Sequence, residues 1–215
     1  GTRLSNKLLT EGHSVTVVDY FWFGDYLDQG ITKINKNLSD LQVEDLKQYD
    51  AIVFLAGMSN DPMANFSPKK NFIENAAGPT YLAFTAKKAG VKRFVYASSC
   101  SVYGFTDNKE KNEESPVSPQ FPYGISKLQA EYSIMNMADS SFRPISMRKG
   151  TVGGWSPRMR FDLVVNTMTK FALTENKIIV HNPSLWRPLI DVRDVVDAYT
   201  KAIQAPLSIS EVFNV

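Results

Sequence analysis

Tyr123 and Lys127 stand four residues apart in Pro122-Tyr123-Gly124-Ile125-Ser126-Lys127. A phenol titrates near about 10 and is a poor base at neutral pH. A nearby ammonium favours the phenolate and lowers that value. The run Lys127-Leu128-Gln129-Ala130-Glu131-Tyr132 reads as helix, and a spacing of four puts both side chains on one helix face. The pair has the make-up of a proton-transfer device, although an ordinary solvated helix face shows the same spacing by chance.

Two other passages carry polar groups to places where chemistry happens. Ser98-Ser99 follows a strand read at residues 92–97. A hydroxyl at the carboxyl end of a parallel strand can bond a substrate hydroxyl or a developing oxyanion, or it can simply cap the next turn. Gly1 precedes an amphipathic segment, and Asp19 ends the strand that follows it. In a dinucleotide-binding fold the last glycine of the phosphate loop lets the first helix approach the sheet. An acidic residue about 20 positions after that loop takes hydrogen bonds from the adenosine ribose. Asp19, where a 2′-phosphate would call for arginine, favours NAD.

The elements that must position these residues follow from periodicity. Leu4, Leu8 and Leu9 recur at helical spacing before Gly12, so residues 2–11 form a helix. Residues 13–18, 51–56, 92–97 and 144–148 are short β-branched or aromatic runs and read as buried parallel strands. Residues 20–30 are an aromatic loop, and 57–68, with two prolines, a polar one. A helix spans 69–89, bent at Gly78-Pro79. Residues 106–118 form a charged surface loop. The helix of Tyr123 and Lys127 follows, then a glycine-rich turn at 150–154, a helix at 161–173, a strand at 178–180, a helix at 190–204 and a strand from 212. Strands alternate with helices, which predicts an α/β doubly wound parallel sheet. The expected division is a Rossmann NAD-binding domain at 1–150, part of a substrate lobe at 151–190, and a return to the first domain at 191–215. The first strand of such a sheet is expected to precede Gly1, making the chain a fragment that lacks both termini.

Composition excludes several classes. A net charge of +2 gives no reason to expect nucleic acid or an anionic membrane as partner. No apolar run approaches the roughly 20 residues that span a bilayer. Cys100 is the only cysteine, so there is neither a disulfide framework nor a thiolate cluster, in keeping with a cytoplasmic location. His13 and His181 lack ligand-type spacing, and no metal site is expected.

Four passages together resemble the extended short-chain dehydrogenase/reductases, in the NAD-dependent epimerase/dehydratase group that acts on nucleotide sugars. They are Gly1 through Leu4, Leu8-Leu9, Gly12-His13 and Asp19; the serine strand Gly90-Val91-Lys92-Arg93-Phe94-Val95-Tyr96-Ala97-Ser98-Ser99 with Cys100-Ser101-Val102-Tyr103-Gly104; Tyr123-x-x-x-Lys127; and Arg187-Pro188-Leu189-Ile190-Asp191-Val192-Arg193-Asp194. The likeness covers essentially the whole chain. It implies Ser99, Tyr123 and Lys127 as catalytic residues, with Lys127 also holding the nicotinamide ribose. It implies cofactor contacts from Gly1, Asp19, Asn37, Leu55, Ala56, Gly57, Asn75, Tyr123 and Lys127. Ser99, Thr151, Arg158, Arg160 and Arg187 would meet the substrate, Arg187 gripping its diphosphate with a planar fork. The family commonly pairs as homodimers through the tyrosine helix.

Departures from the family pattern narrow the chemistry. Gly57 stands where alanine is common, Asn37 where an adenine-contacting aspartate often lies, Thr151 in place of asparagine and Asp191 in place of histidine. Relatives that eliminate water carry an Asp-Glu pair after the catalytic hydroxyl residue; here Cys100 and Ser101 lie there, so 4,6-dehydration lacks its acid and base. The expected function is a nucleotide-sugar epimerase working through a 4-keto intermediate. An NAD(P)H-dependent reductase of a 4-keto sugar or other carbonyl is the alternative. A non-catalytic dinucleotide-sensing or RNA-associated relative would be a different class, and such proteins tend to lose the Tyr–Lys pair.

Overall fold

A computed structural model describes residues 1–105 and 109–215; positions 106–108 of the expected surface loop lie outside the described residues. Helix α1 (Thr2–Thr10) ends with Gly12 and His13 donating back to the Leu9 and Leu8 carbonyls. Strands β1 (Thr16–Val18) and β2 (Thr32–Ile34) pair in parallel. Helix α2 (Val43–Leu46) opens on a capping box between Gln42 and Asp45 and leads into β3 (Ala51–Phe54). Helices α3 (Asp61–Phe66), α4 (Pro68–Phe72) and α5 (Gly78–Ala89) precede β4 (Arg93–Ser99). Then come α6 (Pro122–Met135), β5 (Arg143–Lys149), β6 (Thr151–Gly153), α7 (Val164–Glu175), β7 (Leu189–Asp191), α8 (Val192–Gln204) and β8 (Val212–Asn214).

Every strand pair is parallel: β1 with β2, β6 with β7, and a four-stranded sheet in the order β3-β4-β5-β8. Side chains of β4 alternate between its two faces. Phe94 and Tyr96 enter a core with Leu82, Ala83, Ala86, Ala130 and Ile134 from α5 and α6. Val95 and Ala97 face Leu4 of α1 and Val195, Val196 and Tyr199 of α8. Helices therefore cover both faces, as the doubly wound pattern requires. Phe94, Val95 and Tyr96 are completely buried; side chains of this kind contribute about 1.5–3 kcal/mol each.

Several elements differ from the sequence expectation. The 57–68 loop contains α3: Asn60 caps it by accepting from the Met63 N–H at 2.9 Å. Its two prolines begin helices instead of breaking them, since the first turn needs no proline N–H. The glycine-rich turn at 150–154 includes β6, which pairs with β7. No strand forms at 178–180, where Ile178, Ile179 and Val180 are exposed and no neighbouring strand pairs with them. Strand β2 and helix α2 lie where the sequence pattern predicts no element.

The α-helical run is interrupted ahead of Gly78-Pro79. Residues Ile73–Ala77 form a turn of π-helix before it. Pro79 has no N–H for the carbonyl of Asn75, four residues back. That carbonyl accepts instead from the buried Tyr96 hydroxyl at 3.2 Å. The break in the helix is thereby satisfied by the strand beneath it.

Candidate active site

The site forms where β4 and α6 meet at the carboxyl end of the sheet. Ser99 is the last residue of β4 and caps a 3₁₀ turn, Cys100–Tyr103, by accepting from the Ser101 N–H at 3.2 Å. The capping and catalytic readings of this serine are not exclusive, because the Ser99 hydroxyl is close enough to the Tyr123 phenol to favour its ionised form. Pro122 occupies the first turn of α6, so Tyr123 lies one step inside the helix. A Cβ on Gly124 would come within 2.7 Å of the Ser101 carbonyl oxygen. Only glycine lets α6 approach the turn this closely, and that approach brings Tyr123 to Ser99. Gly124→Ala raises helix propensity by about 1 kcal/mol, yet it is expected to lower stability by about 1–3 kcal/mol through the clash. A higher melting temperature for this variant would remove the close approach from the argument.

A buried amide pair fixes the other side of α6. Asn71 donates to the Pro122 carbonyl at 3.1 Å and to Ser126 Oγ at 2.9 Å. Asn75 in turn donates to Asn71 Oδ1 at 2.7 Å and to the Met58 carbonyl at 2.8 Å. Gly57 has φ of +124°, and a Cβ there would overlap Asn75 Oδ1. Glycine at position 57 is thus a requirement of this packing and more than a tolerated change.

Lys127 is 4% exposed and donates from Nζ to the Ala97 carbonyl at 3.0 Å. The nitrogen lies 5.9 Å from the centre of the Tyr123 ring. Burial lowers its pKa to about 7, helped by the charge of Lys149. The expected lowering of the phenol is not found. Tyr123 is pushed up to about 12, because burial penalises the phenolate more than the Ser99 hydroxyl favours it; the charges of Cys100 and Asp61 raise it further and that of Arg160 opposes. Sequence spacing shows the cation but not the loss of water around both groups.

A cleft of ≈ 470 Å³ is walled by Gly1, Asp19, Leu55, Ala97, Lys149 and Tyr199 among others, and it meets this group at Ala97, whose carbonyl holds Lys127. Asp19 follows β1, and its Oδ1 accepts from the Phe21 N–H at 2.8 Å. Nothing lies within 4 Å of a Cβ built on Gly1, so no contact among the described residues demands glycine there. Ala56 and Gly57 sit exposed beside Leu55 at the end of β3. Asn37, after β2, caps a 3₁₀ turn by accepting from the Ser39 N–H at 3.1 Å.

The arginines divide. Arg158 lines the cleft and packs its guanidinium 3.4 Å from the centre of the Phe23 ring. Arg160 is neither a solvated helix-start residue nor an open cation. It pairs with Asp162 and donates to Ser59 Oγ at 2.7 Å, while Asn60 donates to Asp162 Oδ2 at 2.9 Å. This clamp ties the segment before α3 to the segment before α7. Arg187 is exposed, and its charge acts on Asp61 and Cys100. Thr151 begins β6, its N–H bonded to the Pro188 carbonyl at 2.8 Å. Burial raises the Cys100 thiol above its ordinary value.

Two groups near the site carry no sequence motif. Asp61 begins α3, and its Oδ1 is buried without a hydrogen-bond partner; burial raises its carboxyl pKa against the opposing charge of Arg187. Lys149 ends β5 inside the cleft. Among the described residues no cluster of His, Cys, Asp and Glu could hold a metal ion, and no helix is long and apolar enough to cross a membrane.

Comparison with known proteins supplies the lineage. UDP-glucose 4-epimerase 3 of Oryza sativa subsp. japonica is 31% identical over 167 residues, which span 69% of this chain and 45% of that protein. UDP-arabinose 4-epimerase 1 of Arabidopsis thaliana is 24% identical over 246 residues, 95% of this chain and 57% of that protein. The chain thus spans about half the length of these relatives. The solved structure of MoeE5 in complex with UDP-glucose and NAD superposes with a TM-score of 0.86 at 26% identity, covering 99% of this chain and 71% of that one. The profile of the NAD dependent epimerase/dehydratase family matches residues 1–215, and the chain belongs to that family.

Proposed function

We propose that the protein is an NAD-dependent nucleotide-sugar epimerase that works through a 4-keto intermediate with Ser99, Tyr123 and Lys127. The observation that carries this reading is the meeting of Ser99, Tyr123 and Lys127 at the carboxyl end of the sheet, where Lys127 holds the carbonyl of Ala97, a residue that walls the same cleft as Asp19. The cleft suits a polar dinucleotide: Asp19 offers carboxylate oxygens to ribose hydroxyls, and the Tyr199 hydroxyl is buried there without a partner. Relatives with UDP-glucose or UDP-arabinose 4-epimerase names and the MoeE5 complex support the same substrate class. In this reading residues 1–150 and 191–215 bind the dinucleotide and 151–190 belongs to the substrate lobe.

When bound, NAD supplies the acceptor and later the donor of the sugar C4 hydride. The residues of the chain manage the proton and the geometry. Tyr123 Oη takes the C4 hydroxyl proton as the C4–H bond breaks, and returns it when hydride comes back to the opposite face. Ser99 Oγ bonds the same sugar oxygen. Lys127, anchored on the Ala97 carbonyl, supplies a cation that stabilises the phenolate and donors for a ribose hydroxyl. A phenol at about 12 is the acid form at neutral pH, so any positive charge that enters the cleft with the ligands aids its ionisation. Leu55, Ala56 and Gly57 flank the cofactor and Asn75 supports them. Thr151, Arg158 and Arg187 contact the substrate, with Arg187 an exposed cation for its diphosphate, while Arg160 acts through its clamp. Pairing of two copies through α6, where Ile125 and Tyr132 are exposed, completes the reading.

The test uses UDP-hexoses and UDP-pentoses deuterated at C4, with NAD. Epimerisation gives the inverted sugar with the label kept and no net formation of NADH. Stoichiometric consumption of NADH with a 4-keto sugar, and no inversion of a 4-hydroxy sugar, would make the protein a reductase.

A further inference from the structure

Lys149 holds a second ammonium group at the reacting end of the cleft. Its Nζ donates to the Ser98 carbonyl at 3.1 Å, while Lys127 Nζ donates to the Ala97 carbonyl at 3.0 Å. Two lysines from different elements, β5 and α6, thus hold successive carbonyls of β4 immediately before Ser99. Among the described residues no carboxylate lies within ion-pair distance of either nitrogen, and each ammonium has donors to spare. Lys149 lies 5.9 Å from the centre of the Tyr199 ring, whose hydroxyl is buried and unpartnered, and both line the cleft with Asp19. Unpaired cations in a poorly solvated site are unfavourable unless a ligand gains from them.

The oxidised nicotinamide ring carries a positive charge and the reduced ring does not. Cations beside that ring disfavour the oxidised form. Resting on the cofactor reading above, we propose that Lys149 is a second cation of the reacting end, which makes bound NAD a stronger oxidant by favouring its reduced form. The electron pair of the sugar C4–H bond would pass with its hydrogen to that ring, the hydroxyl proton going to Tyr123. Burial brings Lys149 to about 8 and Lys127 to about 7, so Lys149 is the lysine that keeps most of its charge at neutral pH.

The measurement is of dissociation constants for NAD⁺ and NADH at pH 7 by calorimetry, on the wild type, Lys149→Met, Lys149→Gln and Lys149→Arg. The expected preference for NADH falls about tenfold in both neutral variants, from a unit charge acting across about 12 Å at an effective dielectric near 20. That equals about 30 mV for a two-electron couple. It is retained in Lys149→Arg, which a purely structural role would not distinguish from methionine. Either neutral variant, once folded by circular dichroism, decides the matter. A wild type that binds neither dinucleotide overturns the cofactor reading; one that binds both, with a ratio indifferent to the charge at position 149, overturns this proposal alone.

Discussion

Tyr123→Phe is expected to lower kcat by a factor of about 10²–10⁴, the usual range for a positioned proton-transfer group, while NAD affinity stays within a factor of about two to three. The substitution removes one oxygen. The ring keeps its place on α6, Lys127 keeps its bond to the Ala97 carbonyl, and Asn71 still fixes the start of the helix through Pro122 and Ser126. What disappears is the oxygen proposed to receive the sugar proton, on which the Ser99 hydroxyl acts. The comparison needs both numbers: turnover with a competent nucleotide sugar and dinucleotide binding by calorimetry. A kcat within a few-fold of wild type would take Tyr123 out of the chemistry.

The second large effect concerns stability. Glu131 lies two helical turns beyond Tyr123 on α6, 1% exposed at its side chain, and pairs with Arg148 of β5, 6% exposed. The carboxylate accepts from Arg148 Nη2 at 2.5 Å and from Ser146 Oγ at 2.9 Å, and Arg148 Nη1 donates to the Tyr103 hydroxyl at 2.9 Å. Glu131→Ala should destabilise the protein by about 3–5 kcal/mol, because it strands a buried guanidinium. Glu131→Leu combined with Arg148→Met should recover most of that loss, since a buried pair is often replaceable by apolar residues of similar volume. Urea unfolding of the two single variants and the double would complete the cycle. Equal and additive losses would mean that the pair is not coupled. Because the pair joins α6 to β5, the same variants should disturb Tyr123 more than its distance suggests.

Much of the fold was legible, for identifiable reasons. The run ending at Ser99 has the continuous apolar centre Phe94-Val95-Tyr96-Ala97, the signal of a strand buried on both faces. Proline misled where it was read only as a breaker: Pro62 and Pro68 open α3 and α4. The triplet Ile178-Ile179-Val180 has strand composition but no neighbour to pair with, and composition cannot supply one. At the site, Tyr123, Lys127, Ser99 and Asp19 could be found from type and spacing. The direction of the Tyr123 shift could not, because it turns on burial. Asp61 and Lys149 belong to no spacing pattern; their interest arises from a buried oxygen without a partner and from a carbonyl that a distant strand presents. Arg160 showed its charge in the sequence and hid Asp162, only two residues away, as its partner.

The π turn at Ile73–Ala77 makes this part of the chain sensitive to length. One residue more than an α-helical turn is accommodated there. Deleting a residue from it would restore α-helical spacing, with Pro79 still lacking an N–H for the carbonyl four residues back. Yet everything after the deletion would rotate by roughly 100° about the helix axis. Leu82, Ala83 and Ala86 would swing off the sheet, and the Asn75 carbonyl would leave the Tyr96 hydroxyl. Insertions and deletions should therefore be rarer between residues 71 and 79 than in the exposed stretch 178–188, a pattern that deletion scanning can read directly from soluble yield.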